Sequence, residues 1–317
     1  MLKPLQHLAY RLKYRYAPYL NLNRPVDVSL ELASACNQRC GYCYHADQTN
    51  LPFTKGLMEK VTAELIIVDA ANLGVNSLKF NFRGESTLNP YFFEITKFAK
   101  EHASGSTFID RITNSNFKFS SDREDIFAGL CNQTKVKVSF DSFIPEVMHK
   151  QRAGSIHELA MKNIDLFYNH KKRKETEIII QAVRTQLNKD EDLEFQIKKR
   201  WPEAKASIRN MVAGRVEKDL SALEVKERDF SNRKSCLQAH NRLIFDYLGN
   251  AQACCPDTGS KIQFGNIYQK EMYQIFNSKE AKALRKALLN KSAFSSDPCK
   301  TCSSHESFKG YKHPWGS

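Results

Sequence analysis

From residue 26 to residue 212, short apolar runs rich in β-formers alternate with segments of helical period. No other feature constrains the fold as much. The pattern predicts strands at Val26–Leu32, Leu78–Phe82, Thr107–Ile112, Lys135–Asp141, Glu177–Val183 and Ala206–Val212. Helices are predicted at Gly56–Leu73, Pro90–Lys100, Asp122–Leu130, Ile156–Tyr168 and Leu193–Arg200. In the first of these, Leu57, Val61, Leu65, Ile66 and Val68 supply the apolar positions. About six βα units in series predict an α/β fold built on a parallel sheet, open or curled into a barrel. A charged stretch, Glu217–Lys234, interrupts the pattern, and a helix follows near Lys279–Leu288. The expected division is an N-terminal helix over 1–25, a barrel over 26–231 and a small domain over 232–317.

The loop after the first strand reads Cys36-Asn37-Gln38-Arg39-Cys40-Gly41-Tyr42-Cys43. Three thiolates at these gaps can hold three corners of a four-iron cluster and leave one iron open to a small molecule. Zinc is the inorganic competitor, but its sites usually pair two close cysteines with a distant second pair. His45 can complete a zinc set, although a neighbour two residues away is poorly placed for a tetrahedron.

The first residues lack the continuous apolar core of a secretory signal, and no run approaches the ~20 apolar residues of a membrane span. The nine cysteines are therefore expected in a reducing cytoplasm, where a patterned set reads as metal ligands or catalytic groups. The formal net charge of +13 favours an anionic substrate, a nucleic acid or an acidic partner, without choosing among them. Basic residues cluster near the N-terminus and in His170-Lys171-Lys172-Arg173-Lys174, where a solvated face is the bland alternative. Leu5, Leu8, Leu12, Tyr16 and Tyr19 recur at helical spacing in the first segment. Such a helix most often packs on its own domain; binding to a membrane surface or a partner is the sharper alternative.

Cys-x3-Cys-x-aromatic-Cys after a first strand resembles the signature of the radical S-adenosylmethionine (SAM) enzymes, with Tyr42 in the aromatic slot. The resemblance implies a partial (β/α)6 barrel of TIM type. It also implies a [4Fe-4S] cluster on Cys36, Cys40 and Cys43, with SAM chelated at the open iron and cleaved to a 5′-deoxyadenosyl radical. Further segments match at expected strand ends. Phe82-Arg83-Gly84-Glu85 resembles the family's Gly-Gly-Glu, with Arg83 in place of the first glycine. Glu85 would accept from the cofactor's ammonium group. Thr113-Asn114-Ser115 resembles Thr-Asn-Gly, Ser139 falls in a Ser-x-Asp segment ending at Asp141, and Arg152 resembles an arginine that pairs with the cofactor carboxylate. Taken singly, Asn114 and Ser139 could be ordinary strand-end residues and Arg152 a surface arginine.

A second set of cysteines lies near the C-terminus: Cys236, Cys254 in the run Gly249-x4-Cys254, and Cys299-Lys300-Thr301-Cys302, with Phe264-Gly265-Asn266-Ile267 between them. Four thiolates can enclose a cluster completely, which suits electron transfer; a structural zinc site is the alternative. The spacing resembles the SPASM/twitch extension of radical SAM enzymes, in the shorter one-cluster form. That layout is similar to an aminocyclitol dehydrogenase. Cys255 could replace Cys254 as ligand. Cys131 is expected to be a buried free thiol, and His305 and His313 surface residues.

These features predict a radical SAM enzyme that abstracts a hydrogen atom and uses an auxiliary [4Fe-4S] cluster to oxidise, or form a bond on, a polar or anionic small molecule. Peptide maturation and nucleotide or nucleic-acid modification are the alternatives, the last supported by charge alone. A non-enzymatic zinc or iron–sulfur scaffold is the remote one. The expected partners are SAM, the substrate and an external one-electron reductant such as flavodoxin or ferredoxin.

Overall fold

The computed structural model describes residues 2–102, 108–170, 173, 175–211, 223, 236–300 and 302. Apart from Leu223, the charged stretch Glu217–Lys234 lies outside the described residues, as do His305, His313, Lys171, Lys172 and Lys174. The chain opens with α1 (Leu2–Leu20) and then alternates: β1 (Asp27–Leu30), a short β2 (Arg39–Cys40), α2 (Lys60–Asn72), β3 (Ser77–Phe80), α3 (Phe92–Glu101), β4 (Asp110–Ser115), α4 (Glu124–Cys131), β5 (Lys135–Ser139), α5 (Pro145–Gln151), a short β6 (Arg152–Ala153), α6 (His157–Tyr168), β7 (Glu177–Arg184), α7 (Leu193–Arg200) and β8 (Lys205–Asn210). The predicted strands and helices of this half are therefore present, most with ends trimmed or shifted by one to four residues.

The C-terminal segments are α8 (Leu237–Asn241), β9 (Arg242–Phe245), β10 (Asn250–Gln252), β11 (Gln263–Asn266), α9 (Met272–Phe276) and α10 (Lys279–Leu289). Their strands extend the main sheet. Among the described residues its order is β11-β10-β9-β1-β3-β4-β5-β7-β8. β9 pairs parallel to β1, Asp27 beside Arg242, while β10 and β11 turn back antiparallel. The sheet thus runs unbroken from the barrel strands into the region expected as a separate domain.

One face of the sheet is apolar. Val28, Leu30, Leu78, Phe80, Val136, Val138, Ile178, Ile180, Leu243 and Phe245 join helix residues such as Ile66, Ile95, Ile126 and Ile164 in one core. Full burial of such a side chain contributes about 1.5–3 kcal/mol. The alternate strand positions are mostly polar and face the concave side, as the period of two requires. Arg242 of β9 and Arg209 of β8 both repel the Lys137 ammonium of β5. Strands far apart in the sheet order therefore share one lumen, so the sheet is curled into a partial barrel.

Two amphipathic readings change in detail. α2 begins at Lys60 and buries Thr62, Ala63, Ile66, Ile67 and Ala70, whereas Leu57, Val61 and Leu65 are exposed. α1 packs on its own chain, but through Tyr10, Ala17 and its neighbourhood of α8, with Tyr10 Oη donating to Asp27 at 2.9 Å. The predicted apolar stripe Leu5, Leu8, Leu12, Tyr16 and Tyr19 points outward. Helical period marks a stripe but not which side the barrel will cover; aromatic side chains with polar tips won the inner face. Among the described residues, no helix is long and apolar enough to cross a membrane.

Candidate active site

The Cys36–Cys43 loop is held at the C-terminal end of β1 by three attachments. Ser34 Oγ accepts from Gly56 N at 2.7 Å. β2 pairs with β6, setting Cys40 beside Arg152. Glu85 N donates to Ala35 O at 2.9 Å, which ties the loop to the segment after β3. Gly84 makes this approach possible: a Cβ there would lie 2.1 Å from Ala35 O and 2.4 Å from Ala33 O. The glycine kept from the family motif thus has a steric reason.

Polar groups surround the thiols. Glu85 is buried; its Oε1 accepts from Thr87 Oγ1 at 2.7 Å and its Oε2 from Asn116 N at 2.9 Å. Burial raises its pKa, and these hydrogen bonds oppose the rise. Arg152 Nη1 donates to Cys40 Sγ at 3.6 Å, and its guanidinium pairs with Asp141, Nε to Oδ2, at 2.8 Å. Arg152 is therefore not a surface arginine. Asp141 also accepts from Tyr42 Oη at 2.5 Å and from Val183 N at 2.9 Å. It is a fully buried hub that joins the aromatic slot, the arginine and β7. Ser139 ends β5 beside Gln181 of β7, and Asn114 lies beside Lys137 in the β4–β5 ladder. The structure thus gathers Tyr42, Glu85 and Arg152 around the thiols, with Asn114 and Ser139 on the concave strand ends.

Two of the thiols, Cys36 and Cys40, have their pKa raised. Burial, then Glu85, then the neighbouring thiols push Cys36 up to about 12. Burial also pushes Cys40 up to about 12, against the pull of Arg152. Buried thiols that repel one another become thiolates only when a cationic group replaces their protons. The donor set therefore fits an iron–sulfur cluster. His45 is buried between Tyr44 and Phe53, and burial lowers its pKa to about 4.

The second set converges from three elements. Cys236 caps α8, Cys254 follows β10, and Cys299 and Cys302 follow the turn at Ser292–Ser295. Burial, then Cys302 and Cys299, raise Cys236 to about 12. Cys254 is raised by burial, Cys255, Cys236 and Cys302. Cys255 also acts on Arg242 in the lumen. Gly249 turns the β9–β10 hairpin at φ +81°, a left-handed conformation that favours glycine, and so sets the approach of Cys254. Cys236 and Cys299 pack against Ala239, Leu288 and Ala293. Among the described residues, no three His, Cys, Asp or Glu side chains stand close enough to share a single metal ion.

Two features were not legible as functional. Arg83, noted only as a departure from a motif, forms a two-pronged pair with buried Glu31 at 2.7 and 2.6 Å and donates to Thr258 O at 3.1 Å. It bolts the first site's strand ends to the loop after Cys254. Asp141 was the end of a motif, and only burial marks it as a hub. Cys131 is buried as expected, with Sγ 3.5 Å from His170 Nδ1.

Residues 236–303 match the SPASM iron–sulfur cluster-binding domain. No curated protein matches the chain in sequence. Among solved structures, the chain is similar to BtrN in complex with AdoMet and 2-DOIA, at 17% identity over 87% of this chain and 92% of that one, TM-score 0.60. It is also similar to anSMEcpe with bound AdoMet, at 16% identity over 88% and 86%, TM-score 0.65. A third similarity is to SuiB of Streptococcus suis bound to precursor peptide SuiA, at 13% identity over 93% and 73%, TM-score 0.66. The domain match is confined to residues 236–303, and the likeness to these three structures shows a shared fold.

Proposed function

We propose that the protein is a radical SAM enzyme that oxidises, or forms a bond on, a polar small molecule. The observation that carries this reading is the convergence of Cys36, Cys40 and Cys43 with Glu85 beside one thiol and Arg152 beside another. Cys36, Cys40 and Cys43 would hold a [4Fe-4S] cluster, and Cys236, Cys254, Cys299 and Cys302 a second one. When bound, the clusters and SAM supply hydrogen-atom abstraction and an acceptor for the electron left on the substrate. The chain's own residues position these groups and keep water away. Glu85 offers carboxylate oxygens to the cofactor's ammonium group. Arg152, held by Asp141, fixes Cys40 and adds positive charge against its sulfur. Tyr42 is locked by the same carboxylate. Gly84, Asn114 and Ser139 line the strand ends where SAM would lie. Cys254 is favoured over Cys255 because Cys236 and Cys302 act on its thiol, whereas Cys255 acts on Arg242.

The small-molecule reading is supported by the covered length shared with BtrN and its bound 2-DOIA. The likeness to SuiB with its precursor peptide favours peptide maturation as the second reading. An external one-electron reductant is part of either. The test is anaerobic reconstitution. Wild type should bind about eight irons, the content of two cubane clusters. Cys36→Ser should retain about half of them and release no 5′-deoxyadenosine. Wild type that never cleaves SAM with a strong reductant would overturn the reading.

A further inference from the structure

The barrel lumen holds more positive charge than its carboxylates balance. Strand register puts Lys79 of β3, Lys135 and Lys137 of β5, Arg209 of β8 and Arg242 of β9 on the concave face, with Asp27 and Asp110. Asp27 is taken up by Lys79, by Arg242 at 3.2 Å and by Tyr10 at 2.9 Å. Asp110 is taken up by Lys135 at 2.7 Å. Glu177, on the same face, pairs with Lys205 at 2.6 Å. Among the described residues Lys137 has no carboxylate partner, and Arg209 has only the Ser207 hydroxyl at 3.2 Å. Burial, then Arg209, Lys79, Arg242 and Lys135, push the Lys137 ammonium down to about 7.

Unused donors face the same space. Arg242 Nε is buried without an acceptor, and Gln252, which is 0% exposed, has neither its Nε2 nor its Oε1 partnered. Gln252 stands beside Ile244 in the β9–β10 ladder, on the lumen side. Surplus cations and free N–H groups in one enclosed space fit an oxyanion. The location is deeper than the cofactor contacts. Lys137 precedes Ser139 by two residues, roughly 7 Å nearer the N-terminal end of the strand. α1 covers that end, through Tyr10, so the oxyanion enters from the strands' C-terminal side.

We propose that Lys137, Arg242 and Gln252 form an oxyanion subsite that takes the phosphate or carboxylate of the substrate. The inference rests on the reading that the substrate reaches the barrel beside SAM. An anion site deep in the barrel suits a terminal group on a small molecule better than a peptide backbone.

The test is thermal unfolding and calorimetry of the reconstituted enzyme with inorganic phosphate, with acetate and with chloride at matched ionic strength. Phosphate should raise the Tm of wild type, and Lys137→Met should bind it about tenfold more weakly or worse. Lys137→Arg should keep most of the response, and Gln252→Leu should weaken it independently, which guards against a folding defect in either variant. Acetate matching phosphate points to a carboxylate; phosphate alone points to a phosphate ester. Equal responses in wild type and Lys137→Met, or chloride matching phosphate, overturn the proposal. Loss of the phosphate response on saturation with SAM also overturns it, because the anion site is then the cofactor's. Cleavage of SAM by wild type is scored separately: its absence sinks the enzyme reading, and the phosphate result then bears only on the subsite.

Discussion

The two cysteine regions present the same thiol chemistry in opposite surroundings. Cys36, Cys40 and Cys43 sit among ionisable side chains, Glu85, Arg152, Asp141 and Tyr42, at the ends of sheet strands. Cys236 and Cys299 pack against Ala239, Leu288 and Ala293. A charged environment can orient a zwitterionic cofactor on an open iron, whereas an apolar one can only hold a closed cluster and shield it. The proposed difference in role thus rests on the neighbours more than on the cysteines.

The largest expected effect separates the regions outright. Cys36→Ser and Cys302→Ser should each cost about half of the bound iron. Only the first should stop 5′-deoxyadenosine release under strong reductant; if Cys302→Ser also stops it, the division of labour is wrong. Next comes the bolt between the regions. Arg83→Met leaves Glu31 buried and unpaired, and should destabilise the fold by about 3–5 kcal/mol in denaturant titrations. The double variant Arg83→Met with Glu31→Leu should recover much of this, since the uncompensated charge is gone. Gly84→Ala puts a methyl group into the backbone of the cysteine loop and should cost about 1–3 kcal/mol. Its effect should fall on iron bound at the first site, leaving the second site loaded.

The lumen gives a pH dependence. The Lys137 amine has a pKa of about 7 in the folded chain, below its ordinary 10.5. The unfolded chain therefore binds the extra proton between these values, and stability rises with pH across that window. Below pH 7 the full penalty is present. Lys137→Met removes it, so the variant should exceed wild type in Tm at pH 6, and the gap should close as pH rises towards 10.5. A gap independent of pH would mean that the ammonium is hydrated in the lumen. The smallest effect is expected on α1. Leu8→Gln with Leu12→Gln, both on the outward stripe, should shift stability by about 0.5 kcal/mol or less per site.

Much of this protein was legible in its sequence. Period-two runs and helical periods located six strands and five helices of residues 26–211, though not α5, β2 or β6, because local pattern and burial agree in a sheet covered by helices. The close spacing of Cys36, Cys40 and Cys43 located the first set of thiols, because neighbours in sequence share a loop, whereas the second set is brought together from three elements. Burial direction was less legible: Leu57, Val61, Leu65 and the α1 stripe are apolar yet exposed, since periodicity cannot name the neighbour that covers a face. Membership of one sheet was not legible either. β9 adds to β1 only through long-range backbone pairing, which carries no sequence spacing. The same holds for the surroundings of the thiols. Asp141 meets Tyr42 and Arg152, and Arg83 meets Glu31, across separate strand ends. The sequence by itself determined the alternating α/β scaffold and the two cysteine sets it carries. Only the tertiary structure decided which charges are paired, which are left over in the lumen, and which thiols lie among ions, because those outcomes depend on what curling the sheet brings face to face.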